Sequence, residues 1–83
     1  MITKESLIGY IQRALPDAAV EVQDKTGMME HFLIRVVSKA FEGKNLLDRN
    51  RLVYAALNEP MTTGRIHAVE IKTETPPASG SFQ

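Results

Sequence analysis

The chain has 83 residues, 43% apolar and 24% charged, a size and composition that suit one globular domain. It contains no cysteine, which excludes a disulfide scaffold and a cysteine-based zinc site, and leaves any iron-sulfur chemistry dependent on thiolates from elsewhere. Ten basic side chains balance ten acidic ones, and zero formal charge argues against a strong nucleic-acid binder, whose affinity comes mostly from phosphate neutralisation.

No apolar run approaches the ~20 residues needed to cross a bilayer. Residues Met1 to Glu5 lack the pattern of a signal peptide. A cytoplasmic location without membrane contact is expected.

Thr3 caps a helix expected to run to about Leu15, with Leu7, Ile8, Ile11, Ala14 and Leu15 on one stripe. Arg13 suits its last turn, and Pro16-Asp17 ends it. Ala18 to Gln23 reads as a strand, with Val20 and Val22 alternating with polar neighbours. Asp24 to Gly27 is a turn signal, followed by a loop through Glu30. Phe32 to Ser38 is the clearest strand, with Phe32, Ile34 and Val36 toward the core. A connector around Gly43 leads into a helix from about Asn45 to Asn58, whose buried stripe is Leu46, Val53, Ala56 and Leu57. Pro60 breaks that helix and starts a short second one, closed by Gly64. Ile66 to Thr73 is the last strand, with His67, Val69 and Ile71 sharing its core face.

The order α-β-β-α-(α)-β defines an α+β fold. A short connection makes the first two strands an antiparallel hairpin. A helical crossover makes the second and third parallel, if they are neighbours, in a three-stranded mixed sheet with the helices on one face. Residues 1–75 form a single domain in this reading, and 76–83, rich in Pro, Gly and Ser, a flexible tail. The two histidines, His31 and His67, fall at the starts of the second and third strands, at one end of the sheet. Strict alternation sends His31 to the wet face and His67 to the core face. They meet only if His31 still belongs to the loop.

Three segments, in this order and spacing, resemble the BolA family. They are His31–Ser38 leading into Phe41-Glu42-Gly43-Lys44, then Arg49–Leu57, and finally Arg65–Thr73 with Thr75-Pro76. The resemblance covers nearly the whole chain except the tail. It implies a fold like the type II KH domain. It also implies partnership with a monothiol glutaredoxin around a shared [2Fe-2S] cluster, in iron homeostasis or cluster trafficking, with the partner supplying cysteine and glutathione. The isolated chain is then expected to hold no cofactor, and its apo form to be a monomer or a homodimer. The histidine of the Ile-His-Ala segment is a cluster ligand in the family and maps to His67. The second ligand of the family, in the loop between the first two strands, falls near Met28, where this chain departs from the pattern; His31 is the nearest substitute. Asn50, where many relatives carry His, and Pro60 are further departures.

BolA-like proteins are also described as DNA-binding transcriptional regulators. Lys39, Lys44, Arg49 and Arg51 would form the basic patch for that role, against the plainer reading of a solvated helix face with Glu42 and Asp48 interspersed. A KH-type RNA clamp lacks its second glycine after Gly43. Met28 and Met29 suit an adaptable partner surface, or equally a fold back over the sheet edge. An enzyme is the least supported class: the pairs Ser38 with His67 and Asp24 with His31 have ordinary turn and surface roles, and no nucleotide-binding loop is present.

Overall fold

A computed structural model describes residues 2–28 and 31–77. The first helix, α1 (Lys4–Ala14), starts where Thr3 accepts the Ser6 N–H at 3.1 Å. Glu5 and Arg13 sit at the ends that the helix dipole favours. Leu7 and Ile11 are fully buried, and Leu15, just past the helix, joins them. Ala14 is exposed, so the apolar stripe is narrower than the spacing suggests. Ile2, ahead of the cap, is buried as well.

Strands β1 (Ala19–Asp24) and β2 (His31–Val37) pair antiparallel, and β3 (Ala68–Glu74) pairs parallel to β2, giving the order β1-β2-β3. The central strand supplies Phe32, Ile34 and Val36, each with no exposed surface. Its alternate residues His31, Leu33, Arg35 and Val37 face away from the helices, beside Glu70, Lys72 and Glu74 of β3. The expected α+β architecture is present, with helices on one face of a three-stranded mixed sheet.

Three differences from the sequence expectation have local causes. Ser38 leaves the strand to cap a 3₁₀ turn (Lys39–Phe41), and Phe41, read as part of a connector, is fully buried core. The long helix divides into α2 (Leu46–Ala56) and α3 (Asn58–Thr62). Pro60 lies in the first turn of α3, where a missing N–H costs no helical hydrogen bond. Leu46 shares the stripe of Val53, yet it is 66% exposed, because nothing among the described residues covers the first turn of α2. Val53 and Leu57 carry the packing instead.

A clamp near the chain's first corner has no counterpart in the sequence reading. The Asp17 carboxylate accepts the Ser38 hydroxyl at 2.7 Å and the Lys39 N–H at 2.8 Å. It thereby ties the exit of α1 to the exit of β2. These two bonds stabilise the charged form and hold the Asp17 carboxyl below its ordinary value. Because the folded value is the lower one, the clamp contributes fully above the unfolded value of about 4 and is lost as pH falls through the folded value. Denaturant titrations should therefore show Asp17→Asn less stable than the natural chain at pH 7, with the difference shrinking toward pH 2. Phe41→Ala should cost about 3–5 kcal/mol in the same measurement, a large share of the roughly 5–10 kcal/mol expected of a small domain.

Candidate functional site

The end of the sheet where β2 begins gathers the sequence's candidate residues. The β1–β2 loop is built on Asp24, whose carboxylate accepts the N–H groups of Thr26 at 3.2 Å and Gly27 at 3.0 Å. Gly27 takes a φ of 77°, a conformation that favours glycine. The Lys25 N–H returns to the His31 carbonyl at 2.8 Å, closing the root of the loop. Met28 projects from it, 64% exposed. Met29 lies outside the described residues, as does the proposed tail from residue 78 onward.

His67 is reached from the other side. Gly64 turns the chain with a φ of 76°. Arg65 is then held by three contacts: its N–H donates to the Pro60 carbonyl at 2.9 Å, its guanidinium donates to the Tyr10 hydroxyl at 3.2 Å, and it lies 3.6 Å from the Glu59 carboxylate. Tyr10 itself donates to Glu59, so α1, α3 and the approach to β3 are joined in one network. Ile66 next drops into the core, 5% exposed. His67 follows and is exposed.

This reverses the expected placement of Ile66 and His67. The last strand does not start at Ile66, because pairing with β2 begins at His31 opposite Ala68. His67 precedes the ladder, and strand alternation does not govern it. Ile66 takes the interior position, and the His67 imidazole stays outside. Among the described residues no hydrogen bond occupies its ring. His31, by contrast, is the first residue of β2 rather than part of the loop, and its register puts it on the open face with Leu33 and Arg35. The two histidines share Ala68 as neighbour, one across the ladder and one along the chain.

The open face beside them is polar and ion-paired. Lys25 meets Glu70 at 2.8 Å, and Arg35 forks onto both Glu74 oxygens at 2.8 and 2.9 Å. Hydrogen bonds from these cations hold the Glu70 and Glu74 carboxyls below their ordinary range. The basic residues of the alternative reading are less available than their sequence suggests. Arg49 is half-buried and donates to the Lys44 carbonyl at 2.9 Å, and Arg51 lies 3.7 Å from Asp48. Lys39 and Lys44 are exposed. Asn50 is half-buried, with a side-chain oxygen that finds no partner among the described residues. Ser38 donates its hydroxyl to Asp17, and the Asp24 carboxylate accepts N–H groups of its own loop.

The chain is thus a small α+β module with an exposed histidine at one end of its sheet. The sequence pattern of the BolA-like protein family matches residues 11–78, and the chain belongs to that family. It is 46% identical over 77 residues to human BolA-like protein 2, covering 90% of this chain and 87% of that one. It is 45% identical over 60 residues to the chloroplastic BOLA1 protein of Arabidopsis thaliana, covering 72% of this chain but spanning only 37% of that longer one. A bol-like protein from Babesia bovis has the same fold, with a TM-score of 0.78 and 36% identity over 92% of this chain and 87% of that one. The BolA domain of SufE1 from Arabidopsis thaliana also superposes, with a TM-score of 0.75 and 30% identity over 92% of this chain and 96% of that one. No helix among the described residues is long and apolar enough to cross a membrane.

The Tyr10, Glu59 and Arg65 network lay beyond sequence reasoning, because its members are 49 and 55 residues apart and carry no local pattern. Removing it should loosen the approach to His67 more than it unfolds the domain, since half-exposed ion pairs contribute about 1 kcal/mol or less. In Arg65→Ala, amide hydrogen exchange across residues 65–68 should quicken by several-fold, while exchange in β2 stays close to that of the natural chain.

Proposed function

We propose that this BolA-family chain is a non-enzymatic adaptor that lends the His67 imidazole to a [2Fe-2S] cluster held by a monothiol glutaredoxin. The observation that carries the reading is the exposed His67 side chain, with no hydrogen bond to its ring among the described residues, between an anchored Arg65-Ile66 and the start of β3. The donor set fits a co-ligand and not a resident cofactor. There is no cysteine in the chain, and among the described residues no three His, Asp or Glu side chains group to hold a metal. The partner's thiolate, with glutathione, would supply the remaining ligands. Imidazole in place of thiolate raises a cluster's potential and makes its ligation sensitive to protonation.

This chain's own residues do three things in that role. Arg65, Tyr10 and Glu59 hold the backbone that presents His67. The β1–β2 loop, with exposed Met28 at its rim, offers the adjoining contact surface for the partner. His31, at the same end of the sheet but directed to the open face, is the nearest candidate for a second ligand from this chain. The expected setting is iron homeostasis or cluster trafficking in the cytoplasm; one relative is chloroplastic by name.

The test is anaerobic reconstitution of the chain with a monothiol glutaredoxin and glutathione, followed by absorption and circular dichroism. The natural chain should give a heterodimer with cluster bands. His67→Ala should shift those bands and weaken the complex by tenfold or more, while His31→Ala has the smaller effect. Unchanged spectra and affinity in His67→Ala would remove the ligand assignment. A colourless mixture that never associates, together with sequence-selective DNA binding at physiological salt, would favour the regulator reading through Lys39 and Lys44.

A further inference from the structure

The outer edge of β3 has no strand paired to it in the sheet order, and its free backbone groups can be assigned. The Ser38 N–H donates to the Glu74 carbonyl at 3.1 Å, so Glu74 directs its backbone toward β2. In a parallel ladder every second residue does so, and Lys72, Glu70 and Ala68 bond inward with it. Val69, Ile71 and Thr73 therefore present their N–H and C=O groups outward.

The helix α2 borders this edge. At roughly 3.6 residues per turn, Leu47, Asn50 and Tyr54 share one flank of α2, next to the buried Val53. Tyr54 lines a groove with Val69, Ile71 and Lys72, which turns that flank toward β3. Ala56, on the opposite flank, borders a groove with Tyr10 of α1. Leu47 is 58% exposed and Tyr54 41%. An open strand edge thus lies beside a helix flank whose apolar side chains are uncovered. The β1 edge has no such wall, because α1, which packs on β1, exposes no large apolar residue.

We propose that this cleft takes an extended, acidic-apolar peptide segment of a partner protein, added antiparallel to β3 as a fourth strand. Affinity then comes from the backbone, and alternate side chains select the sequence. Three residues of the peptide meet Val69, Ile71 and Thr73 in hydrogen-bonded pairs, about six bonds in all. Their side chains fall on the helix side, where apolar groups cover Tyr54 and the half-buried Val69 and Ile71. The peptide residues opposite Glu70 and Lys72 face the open side of the sheet. Glu70 already meets Lys25 at 2.8 Å, whereas Lys72 forms no ion pair among the described residues. The position opposite Lys72 therefore suits Asp or Glu, and the one opposite Glu70 a neutral residue. Read from its N-terminus, the peptide is apolar, acidic, apolar, neutral polar, apolar. A single-stranded nucleic acid fits less well, since the Gly-x-x-Gly phosphate clamp lacks its second glycine after Gly43.

The test is an NMR titration of the full chain with a soluble peptide containing Val-Glu-Val-Thr-Val. The amides of Val69, Ile71 and Thr73 and the Tyr54 ring should shift together, with affinity in the high-micromolar range. A peptide containing Val-Lys-Val-Thr-Val should bind about fivefold more weakly, and Lys72→Glu should reverse that preference. Tyr54→Ala should weaken binding of the acidic peptide while the spectrum of the folded chain persists. Amides that stay unmoved up to millimolar peptide overturn the proposal, as does equal affinity for the two peptides. So do shifts that grow with protein concentration alone and that peptide does not reverse, which would give the edge to a second copy. An oligothymidine strand that moves these amides where neither peptide does would give the cleft to nucleic acid and likewise overturns it. None of these measurements involves a cluster or a glutaredoxin, so the outcome stands apart from the role given to His67.

Discussion

The point at which β3 joins β2 governs the rest of the molecule. Pairing begins at His31 opposite Ala68 and runs to Val37 opposite Glu74. This register buries Phe32, Ile34 and Val36 beneath the helices and turns Leu33 and Arg35 outward. It also leaves Ile66 and His67 just before the ladder, where side-chain direction is set by packing rather than by pleat. Ile66 is the better core residue of the two, and its burial leaves the imidazole in water. A register shift of one residue would exchange the two faces of β3 and place Glu70 and Lys72 against the core.

Much of the remaining structure serves to hold that register with a small core. An 83-residue chain without disulfides has limited apolar area to bury, so polar anchors at the corners matter. Asp17 fastens the turn after β2, where the Ser38 N–H also donates to the Glu74 carbonyl and so joins the C-terminal ends of β2 and β3. The Tyr10, Glu59 and Arg65 network fastens the approach to β3. The ion pairs across the open face are exposed and individually weak. Their arrangement matters more than their strength. Lys25 spans from the hairpin loop to Glu70 on β3, and Arg35 reaches Glu21 on one neighbour and Glu74 on the other. The open face is thereby polar and held in place without a covering layer.

The two ends of the domain consequently differ in character. One end carries the hairpin loop with exposed Met28, and the exposed His67. The other carries the buried Phe41 and the buried Ser38, whose hydroxyl donates to Asp17. The function proposed for His67 belongs to the first end, where its side chain is exposed while the preceding Arg65 is anchored.

The amino-acid pattern alone was enough to establish the element order, the mixed sheet, the core face of β2 and the family, because apolar alternation, helix caps and turn residues are local signals. It also singled out His67 through the Ile-His-Ala segment. It misjudged Leu46, Phe41 and Ala14, whose burial depends on what lies over them and not on their spacing. It also placed His67 on the core face, since alternation extended two residues too far back along the chain. Where the parallel ladder starts is a long-range event between β2 and β3, more than 30 residues apart. The anchoring of Arg65 by Tyr10, and of Ser38 by Asp17, likewise arises only when distant segments meet. Such contacts leave no periodic trace in the chain, and the folded arrangement alone could reveal them.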